Sequence, residues 1–120
     1  MAYVDGYVLP LPKKNVKSYR AMARKAAKIF IEHGALAVHE CVADDVKPGK
    51  WISFPQAVKL KPNETVVFSW IVSRSRAHRD RMNAKVMKDP RIAKLMANGA
   101  AMPFDGKRMI FGGFKEIVKA

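Results

Sequence analysis

The sequence predicts one α+β domain built on an antiparallel sheet, with elements in the order βαββαβ. Three observations predict it. Tyr3–Leu9 alternates in the two-residue period of a strand, and TVVFSWIV at Thr65–Val72 is rich in β-branched and aromatic residues. Between and after them, apolar residues recur at three- and four-residue steps, the period of a helix packed on one face. At 120 residues the chain is long enough for one core and too short for two, so residues 1–120 are read as a single domain.

The first strand lies in YVDGYVLPLP, Tyr3–Pro12, and is expected to stop pairing at Pro10 and Pro12, because proline has no N–H to donate. From Lys13 onward, Val16, Tyr19, Ala23, Ala26, Ala27 and Phe30 share one helical face, and Gly34 supplies the left-handed residue that ends a helix. Leu36, Val38 and Val42 mark a second strand. It runs into the turn-forming stretch Asp44–Lys50 with Pro48-Gly49, and a loop is expected through Pro55. Pro62-Asn63 turns the chain into the third strand, Thr65–Val72. Ser75 caps a helix containing Met82 and Val86, Asp89-Pro90 starts another through Met96, and Asn98-Gly99 closes it. Met109–Val118 is the last strand, with Gly112 and Gly113 explained by a bulge or close packing. This order is that of the ferredoxin-like, split-βαβ arrangement, with helices on one face of the sheet.

The other face of such a sheet ordinarily meets water and is polar. Here strand three divides into Val67, Ser69, Ile71 and Val66, Phe68, Trp70, Val72. Strand one divides into Val4, Gly6, Val8 and Tyr3, Asp5, Tyr7, Leu9. If the smaller sets, with Gly6, face the helices, an apolar set containing Tyr3, Tyr7, Phe68 and Trp70 is left uncovered in the monomer. A large uncovered apolar face marks an interface or a pocket. The expectation is a homodimer with sheet facing sheet.

Charge is the compositional outlier, with 23 Lys and Arg against 10 Asp and Glu and a net +13. Lys13, Lys14, Lys17, Arg20, Arg24, Lys25 and Lys28 populate the first helix without an acid among them. Arg74, Arg76, Arg79, Arg81, Lys85, Lys88, Arg91 and Lys94 populate the second helical region. Such surfaces attract polyanions nonspecifically. Aromatic residues do not interleave with these cations, so the base-stacking pattern of single-strand binders is missing. No apolar run is long enough to span a membrane, and the opening MAYVDGY has no secretion-signal pattern, so a cytoplasmic protein without membrane contact is expected.

The segments YVDGYVLPLP, ECVADDVKPGKW, SFPQAVKLKPNETVVFSWI, SRSRAHRDRMNAKVMKDPR and MPFDGKRMIFGGF resemble the YbaA-like family of uncharacterised bacterial proteins over essentially the whole chain. The resemblance implies the dimeric α+β barrel class. Proteins sharing only that fold include small monooxygenases, haem-degrading enzymes and stress-response proteins, so it supplies no single activity.

Two residues are candidates for proton chemistry. Asp5, among aromatics, would have its pKa raised by desolvation unless a cation accompanies it. The bland alternative is a structural aspartate paired with Lys or Arg. His78, four residues before Met82 and eight before Val86, shares the apolar face of its helix and can act near neutral pH, though such a histidine is more commonly a satisfied, half-buried residue. His33, His39 and Cys41 have no metal-ligand spacing, Gly112-Gly113 precedes no helix, and no G-x-S-x-G surrounds any serine. No metal or cofactor is expected. The leading functional expectation is therefore a homodimer that binds or converts a small molecule at the sheet face, lined by Tyr3, Asp5, Tyr7, Phe68 and Trp70. The alternative is a basic-surface RNA-binding protein using Arg20, Arg24, Arg79 and Arg81, and a third option is a dimer that recognises another protein.

Overall fold

The computed structural model describes residues 1–96 and 102–120. Strand β1 (Tyr3–Pro12) leads through a 3-10 turn at Lys13–Asn15 into α1 (Val16–Glu32), then β2 (Ala37–Val42), α2 (Phe54–Ala57) and β3 (Glu64–Ser73). Helices α3 (Arg76–Lys88) and α4 (Pro90–Met96) follow, and after a 3-10 turn at Gly106–Arg108 comes β4 (Ile110–Lys115). The Asn98-Gly99 stop expected after α4 lies outside the described residues. The sheet is antiparallel in the order β2-β3-β1-β4.

Strand β1 does not stop at Pro10: its register with β3 continues through Pro10↔Val66 to Pro12↔Glu64. The Lys13 N–H donates to the Asn63 carbonyl, and the Ala2 carbonyl accepts from the Glu116 N–H. Odd residues of β1 therefore bond toward β3 and even ones toward β4. Strand β4 reaches only as far as Val8, so Pro10 and Pro12 withhold donors from an edge that has no partner.

Local chemistry sets the helix ends. The Ser75 hydroxyl accepts from the His78 N–H at 3.1 Å, and Asp89 accepts from the Arg91 N–H at 2.9 Å with Pro90 opening α4. Helix α2, expected as loop, is a single turn whose Ser53 hydroxyl accepts from the Gln56 N–H at 3.4 Å. At the end of α1, Gly34 has φ +120°, and the Ala35 N–H returns to the Phe30 carbonyl. A Cβ at Gly34 would lie 2.8 Å from Nε2 of His78, whose Nδ1 accepts from the Arg74 N–H. Gly34→Ala is expected to cost about 1–3 kcal/mol in urea unfolding. An unchanged midpoint would show that the turn relaxes freely.

The core lies between helices and sheet. Leu9, Leu11, Tyr19, Ala23 and Val67 join α1 to the sheet, while Ile29, Ala35, Ile71, Met82, Val86 and Ile92 join all three longer helices to it. Asp89, at the α3–α4 junction, receives His33 Nε2 at 2.8 Å and Arg91 Nη2 at 2.9 Å; Arg91 also reaches Glu32 at 2.6 Å. The molecule measures 38 × 38 × 20 Å. Its short dimension fits one sheet with one helix layer; most of the opposite sheet face is bare, but at one end Pro10 and Val66 are buried and Phe54 of α2 meets Phe68.

Candidate functional site

Register decides which side chains share each face, and it corrects the reading of strand one. Val4↔Val72, Gly6↔Trp70 and Val8↔Phe68 put Val4, Gly6 and Val8 on the bare face with the large residues of β3. Tyr3↔Ser73, Asp5↔Ile71 and Tyr7↔Ser69 put Tyr3, Asp5 and Tyr7 on the helix side with its small ones. On that side Tyr3 and Tyr7 have Ser73 and Ser69 as their partners on β3, which leaves room for the rings beneath the helices. Tyr3 shows this at Gly113, where an added Cβ would fall within van der Waals contact of its ring and hydroxyl. Gly112 and Gly113 pair in continuous register with Gly6 and Asp5, so close packing, with no bulge, accounts for them.

Phe68 and Trp70 stand on the bare face as expected from strand three. Val4, Val8, Phe68, Trp70, Ile110 and Phe114 line a concavity of about 720 Å³. Tyr7 and its stacked neighbour Phe111, in the helix-side rows by register, also touch its lining. Phe68 lies 5.4 Å from Trp70, and the His39 ring stacks on Trp70 at 4.7 Å. Phe114 remains 64% exposed. The register gives this face no Lys, Arg, Asp or Glu between Glu64 at one end and Glu116 beyond the other. His39 and Cys41 are its polar side chains; they have no metal-ligand spacing in the sequence, and only the register places them opposite Trp70 and Phe68.

On the helix side, Asp5 is 6% exposed and meets α3. Arg79 Nη1 donates to its Oδ1 at 3.2 Å, Nη2 donates to the Tyr3 hydroxyl at 3.2 Å, and the guanidinium lies 4.8 Å from the Tyr3 ring centre. Nε of Arg79 sits 3.0 Å from Asp80, close enough for attraction but without hydrogen-bond alignment. Burial raises the Asp5 pKa, Arg79 opposes that rise, and Asp80 adds to it. Burial, followed by the charge of Asp5, pushes the Tyr7 hydroxyl up to about 12. Its folded pKa exceeds the ordinary value of about 10, so its contribution to stability is complete below pH 10 and lost as pH rises through about 12. Ultraviolet titration should show this late ionisation; ionisation of every tyrosine near pH 10 in folded protein would refute it.

Asp5 and His78 do not share a contact. Asp5 is held by Arg79, whereas His78 packs on the Gly34 turn beside the start of β2. The four-arginine surface also divides. Arg20, Arg24 and Arg81 are exposed, but Arg79 turns inward to Asp5 and Tyr3.

A second concavity, of about 450 Å³, opens where α1 overhangs the edge strand β2. The Tyr19 hydroxyl donates to Glu40 at 2.7 Å on its β2 side, and Arg20 and Arg24 line it from α1. Withdrawal from water raises the Glu40 pKa, against hydrogen bonds from Tyr19 and Ser69. The sequence carried a signal for Glu40: Val38, Glu40 and Val42 alternate onto one face, so a carboxylate interrupts an apolar row.

Among the described residues no three His, Cys, Asp or Glu side chains group as a metal site, and no helix is long and apolar enough to cross a membrane.

The fold and sequence have known relatives. The chain is 52% identical over 118 residues to "Uncharacterized protein YbaA" of Escherichia coli strain K12, covering 98% of each chain. The Shigella flexneri protein of the same name matches equally. The structure of Rv0793 from Mycobacterium tuberculosis superposes with a TM-score of 0.60 at 12% identity, covering 100% of this chain and 99% of that one, a likeness of fold. Residues 2–106 match the family described as "Protein of unknown function (DUF1428)". By that match and the full-length identity, the chain belongs to the DUF1428 family.

Proposed function

We propose that the protein is a cytoplasmic homodimer in which two ferredoxin-like sheets face each other as a dimeric α+β barrel, enclosing a chamber for a small, uncharged, largely apolar molecule. The observation that carries this reading is the charge-free apolar sheet face on a chain of net +13. Two such chains repel each other, and screening acts only beyond about 8 Å at physiological salt. They approach at least cost through the face that carries no cation, where burial of apolar surface contributes about 25 cal/mol per Å². Phe68, Trp70 and Phe114 then line the chamber, with His39 as a polar group at its side. In this reading Asp5 and His78 anchor α3 to the sheet and to the Gly34 turn, and the basic helices supply only salt-sensitive attraction to polyanions.

The chamber is tested with 1-aminonaphthalene as a small aromatic probe, in a Trp51→Phe background so that Trp70 is the remaining tryptophan. Saturable transfer of Trp70 emission to the probe, at no more than one probe per subunit, is expected. Transfer that grows linearly without saturation would mean that the interface is packed shut.

A further inference from the structure

We propose that the cleft between α1 and β2 is a binding site for a small amphipathic carboxylate, with its carboxylate on Arg20 and Arg24, its apolar body along the cleft, and a hydroxyl at Glu40. The site is distinct from the sheet-face chamber, because Val38, Glu40 and Val42 project from the opposite side of β2 to His39 and Cys41.

Its construction follows from where α1 sits. Tyr19 and Ala23 bury against Leu9, Leu11 and Val67, which seats the helix over β1 and β3. The edge strand β2 is consequently only half-roofed, and Val42 remains 51% exposed although it belongs to the helix-side row. The apolar walls include Leu11, Val16, Ala23, Val38 and Val67. A volume of about 450 Å³ lies within the range of small-molecule sites.

Charge specifies the ligand class. Arg20 and Arg24 are one helical turn apart, so both guanidinium groups can close on one carboxylate. Neither has an ion-pair partner among the described residues, in contrast to Arg79, Arg91 and Arg108. Their neighbours Lys17, Lys25 and Lys28 add to the attraction for an anion. At the other pole, Glu40 holds one oxygen to the Tyr19 hydroxyl and can accept from a ligand hydroxyl as well. A purely apolar ligand would leave both poles unused, and a dicarboxylate would set its second charge against Glu40.

The test uses 3-(4-hydroxyphenyl)propionate, its neutral amide and 3-phenylpropionate, measured by calorimetry or ligand-observed NMR on the intact protein. Saturable binding of the hydroxy acid is expected, with the amide weaker by about tenfold or more. The double variant Arg20→Met/Arg24→Met, on exposed positions, is expected to lose affinity for both acids alike. Glu40→Gln should narrow the difference between hydroxy and unsubstituted acid while leaving the carboxylate contribution. The variant Phe114→Glu, which opposes only the sheet-to-sheet dimer, should leave this binding intact, separating failure of one proposal from failure of the other. Absence of saturable binding, equal binding of the amide, or an unchanged Arg20→Met/Arg24→Met variant would each overturn the assignment.

Discussion

Arg79→Met is expected to destabilise the fold by about 3–5 kcal/mol, because it removes the cation from a buried carboxylate and leaves the charge behind. Asp5 is 6% exposed, and Arg79 also binds Tyr3, so one substitution releases α3 from β1 at two points. Arg79 keeps 19% of its side chain exposed, which places the effect toward the lower end. For a chain of this length, it corresponds to a fall in Tm of roughly 12–20 °C. The sign of the pH dependence follows from Asp5. Burial already raises its folded pKa above the unfolded one, and loss of Arg79 raises it further. Stability gained by protonating such a group is present below the unfolded pKa and lost as pH rises through the folded one. The deficit of Arg79→Met should therefore shrink in acid, and Asp5→Asn in the same background should recover part of it at neutral pH. An unfolding free energy within about 0.5 kcal/mol of wild type would mean that water screens the pair.

Phe114→Glu is expected to convert the proposed homodimer to monomer while preserving the fold. The ring is 64% exposed in the single chain, so its loss removes little of the core. Across a two-fold interface, however, each chain would bring an unpaired carboxylate onto a face that has no charge. At about 2 kcal/mol for each buried unpaired group, dissociation should rise by roughly a thousandfold. Phe68→Glu should act in the same direction, at more cost to the fold because Phe68 also meets Phe54 and Trp70. A dimer of unchanged affinity in both variants would move the interface away from this face.

The α+β class, the caps at Ser75 and Asp89, the glycine stop at Gly34 and the two faces of β3 were legible because each depends on residues close in sequence. The faces of β1 were not. Grouping aromatic with aromatic put Tyr3 and Tyr7 beside Phe68 and Trp70, whereas the observed register sets them opposite Ser73 and Ser69 of β3, and a one-residue change of register reverses a strand. Arg79 illustrates a second limit. A cation for Asp5 could be anticipated, but it stands 74 residues away and topology alone selects it among the many basic residues of the helices. The α2 turn is too short to show a period, leaving Ser53 and Pro55 as its only signals. The α1–β2 cleft depends on how far the helix roofs an edge strand, a relation that no local pattern encodes.

In the proposed homodimer a second copy closes the apolar sheet face. Sedimentation equilibrium of the wild-type protein at micromolar concentration and physiological salt tests it most directly. The expected result is a species of twice 13.5 kDa that Phe114→Glu reduces to 13.5 kDa. A wild-type monomer across that concentration range would contradict the sheet-to-sheet dimer.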